Sequence, residues 1–189
     1  MAKALAVRIN ILVTILVVLT AIQVVNSLMA GKLGMFGIIP RDTSTWYHIF
    51  TAPLLHVGWG HLLNNLFGLA LFGFITLMNS VRYFVAASLF INIVTGILVW
   101  CFARSSIHLG ASGWIFGLWS LSIMAAWFDH NIKNLMVAVL VIFFYGGMIY
   151  GVLPTQPGVS FESHLFGALS GAVFAALAAK YKPLKKAIR

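Results

Sequence analysis

Ser112 stands in the stretch LGASGWIFG, between Gly110 and Gly113 and at the start of a strongly apolar run. A serine hydroxyl is a weak nucleophile until a neighbouring base takes its proton. His164, in SHLFGALSG, has the right chemistry for that base. His61 and Asn65, in HLLNN, are four residues apart and fall on one face of a helix. Serine and histidine together supply a nucleophile and the group that activates it, provided the fold brings them to one place.

Counting along the chain indicates that it does. Ser112 lies 17 residues before Asp129, about 25 Å at the helical rise. His164 lies 16 residues before Lys180, about 24 Å by the same rise. Asn65 lies 17 residues before Arg82, again about 25 Å, with His61 one turn higher. Three segments thus carry polar groups to one level, inside a hydrocarbon layer about 30 Å thick. Polar side chains at that depth are costly and need partners or water. One alone would read as glue between helices; four of these types at one level read as a site.

The elements that must position them are membrane spans. Of 189 residues, 61% are apolar and 8% charged, against about 25% charged in a soluble domain. Six candidate spans follow, at 8–29, 61–79, 83–103, 113–129, 134–152 and 163–180. The first reads as an anchor rather than a cleaved leader, because its apolar run is long and Leu28 is unsuited to a cleavage site after Ala30. Six spans put both termini on one side. Lys3, Arg8, Arg82, Lys133, Lys180, Lys182, Lys185, Lys186 and Arg189 share that side, against Lys32, Arg41 and Arg104 on the other. That excess assigns the termini to the cytoplasm. The net charge of +9 is therefore read as an anchor beside anionic lipid, not as a nucleic-acid surface. The 30–60 connection is long but not polar. Trp46, Tyr47, Phe50 and Trp59 suit a membrane interface, and the loop is expected to be partly embedded and to rest on protein.

Small residues line two of the spans. Gly113 and Gly117 form one small-xxx-small face, and Gly167 and Gly171 form another below His164. Such faces let two backbones approach closely in lipid. Alone they would signify packing; beside Ser112 and His164 they offer the approach that a Ser–His hydrogen bond requires.

These residues resemble the rhomboid intramembrane serine proteases. The matching pieces are GASG at 110–113, HLLNN at 61–65 and SHLFGALSG at 163–171, in the family's order over residues 40–175. The resemblance implies an all-α, six-helix rhomboid bundle as a single transmembrane domain over 1–189. It implies a catalytic dyad of Ser112 and His164 without an acidic third member. The Ser112 N–H, His61 and the Asn65 amide would form the oxyanion hole. Gly110 and Gly113 would leave room for a substrate backbone. The family often has a tyrosine where Phe116 stands, so the stacking surface is kept and a hydroxyl lost. Where many members have Trp-Arg in the first loop, this chain has Tyr47 and His48.

His56 falls where the family commonly has a histidine; tying down a loop is the favoured reading over a part in the oxyanion site. Glu162 is expected to point into loop or water, and His108 and His130 are expected to be surface histidines. Cys101 is the only cysteine, so no intramolecular disulfide or cysteine metal site is expected, and the resemblance implies no metal and no cofactor. It implies transmembrane proteins as substrates, a lipid bilayer as surroundings and no nucleic acid. The expected location is a bacterial inner membrane, with the site open to the non-cytoplasmic side. Two other classes use the same residues differently. One is a transporter or haem-binding bundle built on intramembrane histidines, in which GASG would be idle. The other is a proteolytically inactive rhomboid relative that binds membrane proteins, although such relatives typically lack the serine or the histidine.

Overall fold

The structure, a computed structural model, describes residues 2–154 and 158–180. Its α-helices are α1 (Ala2–Leu28), α2 (Trp59–Leu77), α3 (Val81–Phe102), α4 (Ser112–Asp129), α5 (Ile132–Tyr145) and α6 (Phe161–Lys180). Among the described residues, five segments are long and apolar enough to cross a membrane: α1, α2, α3, Ile132–Val152 and α6. The chain is an integral membrane protein with a mostly helical fold. Lys182, Lys185, Lys186 and Arg189 lie outside the described residues.

α4 departs from the other helices, and the reason is its place. Every residue from Gly113 to Ser122 is buried, so protein surrounds the helix on all sides. It packs against α2, α3, α5 and α6. A helix that meets no lipid along that stretch can carry polar groups wherever neighbours satisfy them. Trp114 Nε1 donates to Ser88 Oγ at 3.0 Å, and Ser122 Oγ donates to the Leu118 carbonyl at 2.8 Å.

The ends of the elements follow local chemistry. α1 begins at Ala2, ahead of the predicted start at 8, because Ala-Lys-Ala-Leu-Ala is made of strong helix formers. Leu12, Leu19, Gln23 and Asn26 form its one buried stripe, and α1 lies against α2 through it. Ser80 caps α3 by accepting from the Tyr83 N–H at 2.9 Å, and Asn131 caps α5 by accepting from the Lys133 N–H at 2.9 Å. The segment predicted as one helix over 134–152 is in two parts. The α-helix ends at Tyr145, before Gly146-Gly147, and the chain tightens into a 3₁₀ helix over Gly146–Val152.

Among the described residues, the seam between α4 and α6 brings backbones closest together. A β-carbon on Gly167 would overlap the Gly113 carbonyl oxygen, and one on Gly171 would overlap that of Gly117. The two glycine pairs meet backbone to backbone.

The first loop rests on α3. It is built of short 3₁₀ turns at Lys32–Phe36, Trp46–Ile49 and Ala52–Leu54. Ile38, Ile49 and Ala52 pack with Val99 and Ala103, and Ile49 fits over Gly96, where a β-carbon would come within 2.8 Å of it. Arg41 donates from Nη1 to the Ala103 carbonyl at 2.7 Å, and Trp100 Nε1 donates to the Asp42 carbonyl at 3.0 Å. Ile38 also forms an antiparallel bridge with His108, joining the loop to the connector between α3 and α4.

Candidate active site

Ser112 is the first residue of α4, and the turn that delivers it depends on Gly110. That residue has φ +121°, and a β-carbon there would lie 2.6 Å from His61 Cε1 and 2.8 Å from His61 Nε2. Glycine is required on both counts: the left-handed backbone and the close approach of the histidine ring. The Gly110 N–H donates to the Ala52 carbonyl at 2.9 Å, so the first loop also holds the turn.

His164 lies in the first turn of α6. Its ring stacks on Phe116, with centroids 4.1 Å apart and planes within 7°. Its Nδ1 is 2.9 Å from the Gly151 carbonyl oxygen. A carbonyl only accepts, so this bond places the proton of a neutral ring on Nδ1 and leaves the Nε2 lone pair free. Gly151 itself cannot carry a side chain without crowding, since a β-carbon would come within 2.6 Å of the Phe116 ring.

His61 and Asn65 project from α2. Asn65 is buried, and its amide nitrogen has no hydrogen-bond partner among the described residues. The His61 ring meets His56 edge to face, with centroids 5.0 Å apart. His56 is 1% exposed, and its carbonyl accepts from Asn26 Nδ2 at 3.1 Å. Burial, and secondly the neighbouring His61, push the His56 imidazole down from the ordinary 6.5 to about 4.

Ser112, His164, His61, Asn65 and Phe116 all line one cavity of about 800 Å³. Among the described residues no hydrogen bond of 3.5 Å or less joins Ser112 Oγ to His164 Nε2. Such bonds are commonly long before substrate arrives. His56 lies behind His61 and is not among the cavity residues. Gly113, Gly117, Gly167 and Gly171 form the α4–α6 seam, and Gly113 also lines a second, small cavity of about 30 Å³.

One sequence expectation is narrowed and one is corrected. Of the two surroundings expected for Glu162, the loop is the one found: it is 6% exposed, and Oε1 lies 3.5 Å from Nε of the loop residue Arg104. Pairing is what allows a carboxylate to be buried there. His108 is not a surface histidine; it is 2% exposed because both ring nitrogens find partners inside the protein. His130 is exposed, at the C-terminus of α4 with φ 47°. Sequence reasoning also missed the Gly151 carbonyl, since any residue type offers one. Asn26 and Ser160 carried a faint signal: each is a polar residue within or beside an apolar run.

Together the fold and this cavity define a class. A sequence model of the Rhomboid domain matches residues 43–181, and the chain belongs to the rhomboid family. An uncharacterized protein of Mycobacterium tuberculosis is 31% identical over 189 aligned residues, covering 93% of this chain and 79% of its own length. An uncharacterized protein of Mycobacterium leprae is 30% identical over 175 residues, covering 88% of this chain and 69% of its own. The Rhomboid-like protein 11, chloroplastic, of Arabidopsis thaliana is 30% identical over 151 residues, covering 72% of this chain and 54% of that protein.

Proposed function

We propose that the protein is an intramembrane serine endopeptidase that cleaves transmembrane segments of membrane proteins through a Ser112–His164 dyad. One observation carries this reading: nucleophile, base and two further polar side chains line a single cavity inside a bundle of apolar helices. Ser112 Oγ attacks the scissile carbonyl while His164 Nε2 takes its proton. The Gly151 carbonyl supports that role, because it holds the proton of the neutral ring on Nδ1. The Phe116 face keeps the imidazole in plane as it becomes charged.

The tetrahedral oxyanion would accept from the Ser112 N–H, His61 and the Asn65 amide. The unpartnered Asn65 nitrogen is suited to this, since a buried donor gains most from an acceptor that appears only during reaction. The N-terminus of α4 adds a favourable dipole at the same point. His164 then returns the proton to the leaving amine, and water hydrolyses the acyl-enzyme by the reverse steps.

In this reading all six helices cross the bilayer as one domain over 1–189, α4 doing so inside the bundle. Both termini face the cytoplasm, and the cavity opens to the non-cytoplasmic side, in a bacterial inner membrane. The contact between Arg8 Nη1 and the Met78 carbonyl at 3.3 Å supports a common side for the start of α1 and the end of α2. Cleavage of a single-span substrate by purified protein, beside Ser112→Ala, tests the assignment.

A further inference from the structure

Beside Ser112, His164, His61 and Asn65, the cavity lining also includes Arg104, His108 and Ser160, and these belong to a polar cluster centred on His108, on the connector between α3 and α4. Its Nε2 lies 2.9 Å from the Arg104 carbonyl oxygen and its Nδ1 lies 2.7 Å from Ser160 Oγ. The carbonyl only accepts, so Nε2 carries the proton and Nδ1 of the neutral ring accepts. Ser160 Oγ–H therefore donates to His108. Ser160 Oγ in turn accepts from Ser163 Oγ–H at 2.7 Å and from the Ser163 N–H at 3.2 Å. Both ring nitrogens of His108 and the hydroxyl of Ser160 are thereby partnered.

The backbone of the same residue is tied as firmly. The Ile38 N–H donates to the His108 carbonyl at 2.8 Å, and the His108 N–H donates to the Ile38 carbonyl at 2.9 Å. His108 thus joins the first loop, the end of α3 and the start of α6. It stands four residues before Ser112, as Ser160 stands four before His164. The Ser160 carbonyl also accepts the His164 N–H at 3.3 Å. Arg104 adds further ties to the same turn, from Nη2 to the Val159 carbonyl at 2.6 Å and from its backbone N–H to Glu162 Oε1 at 3.4 Å, but its side chain is 47% exposed, whereas His108 is 2% exposed.

We propose that His108 is a positioning residue that sets the separation of Ser112 and His164. This rests on the protease reading above. The glycine seam fixes the two helices from Gly113 and Gly167 downward, but both reacting residues sit at the outer end of that seam. There the His108–Ser160 hydrogen bond is the cross-tie that starts from a buried ring. It links the segment that delivers the nucleophile to the turn that delivers the base. Its loss lets the two drift apart, and a misplacement of about 1 Å is enough to slow an aligned reaction by roughly 10²-fold.

The test uses the full chain in detergent with one single-span substrate, comparing wild type with His108→Leu, His108→Asn and Ser160→Ala. Melting temperature, KM, kcat and the rate of labelling by a fluorophosphonate probe are measured for each. His108→Leu is expected to lower both kcat and labelling by about 10–100-fold with KM nearly unchanged. His108→Asn, whose amide oxygen can take the place of Nδ1, is expected to recover most of the loss. Ser160→Ala is expected to resemble His108→Leu, with little further loss in the double variant, because both break the same His108–Ser160 bond. Wild-type kcat per folded molecule in His108→Leu overturns the proposal, as does Asn performing no better than Leu. Where His108→Leu fails to fold, Ser160→Ala decides: wild-type turnover in that variant overturns the proposal. A wild type that neither labels nor cleaves overturns the protease reading itself and the proposal with it.

Discussion

One methyl group on Gly167 tests whether the backbone seam positions the site. A β-carbon there would overlap the Gly113 carbonyl oxygen and lie 2.9 Å from its carbonyl carbon and 3.0 Å from its α-carbon. Ordinary contact begins near 3.4 Å, and the obstacle is backbone rather than a side chain that could rotate away. Relief therefore requires α6 to move off α4 by roughly 1 Å, and overpacking of this kind costs about 1–3 kcal/mol. Gly167 is three residues from His164, and Gly113 is next to Ser112, so the displacement reaches both reacting groups. Turnover per folded molecule in Gly167→Ala should fall by about 10²-fold. Gly147→Ala is the control, since nothing lies within 4 Å of a β-carbon there, and its stability should stay within about 0.5 kcal/mol of wild type. Thermal melting in detergent and cleavage of one transmembrane substrate measure the two effects. Melting and turnover of Gly167→Ala equal to those of Gly147→Ala would refute this role for the seam.

Asn65→Ala should remain folded and lose about 10²–10³ in kcat, the usual cost of one oxyanion donor. His61→Ala should be worse and the double variant less than additive; a collapse in melting temperature with normal turnover per folded molecule would assign both to structure. For His56, the unfolded ring protonates as pH falls below 6.5, while the folded ring stays neutral until about 4. The unfolded state then binds more protons in that window, so the melting temperature should drop as pH falls from 6.5 to 4. His56→Asn should flatten the drop, and an equal slope in both proteins would contradict the assignment. EDTA should leave cleavage unaffected, because the proposed chemistry uses only side chains and backbone; inhibition reversed by zinc would contradict it.

The convergence of Ser112, His164, His61 and Asn65 was legible because polar residues are scarce in a membrane chain. Their distances from Asp129, Lys180 and Arg82 could be converted directly into depth. The glycine seam was legible for a similar reason: spacing alone brings Gly113 with Gly117, and Gly167 with Gly171, onto single faces. α4 looked like one more span because composition does not reveal what surrounds a helix. Its burial became apparent only when four neighbours were packed around it. His108 was misjudged because its burial depends on a partner distant in sequence, Ser160, and the sequence could name the loop as a setting for Glu162 but not Arg104 as its partner. The Gly151 carbonyl had no side-chain signature at all. What sequence spacing conveys is which face and which depth; which long-range polar partners meet is settled by tertiary contact.

The dyad is tested most directly by reconstituting the protein in liposomes with a single-span substrate and a fluorophosphonate probe. Wild type, Ser112→Ala and His164→Ala are then compared at matched amounts of folded protein. Wild type should take one probe at Ser112 and cleave the substrate within the membrane. Each variant should lose about 10⁴–10⁶ in rate, and Ser112→Ala should not label. Cleavage by Ser112→Ala at a rate near that of wild type would contradict the account.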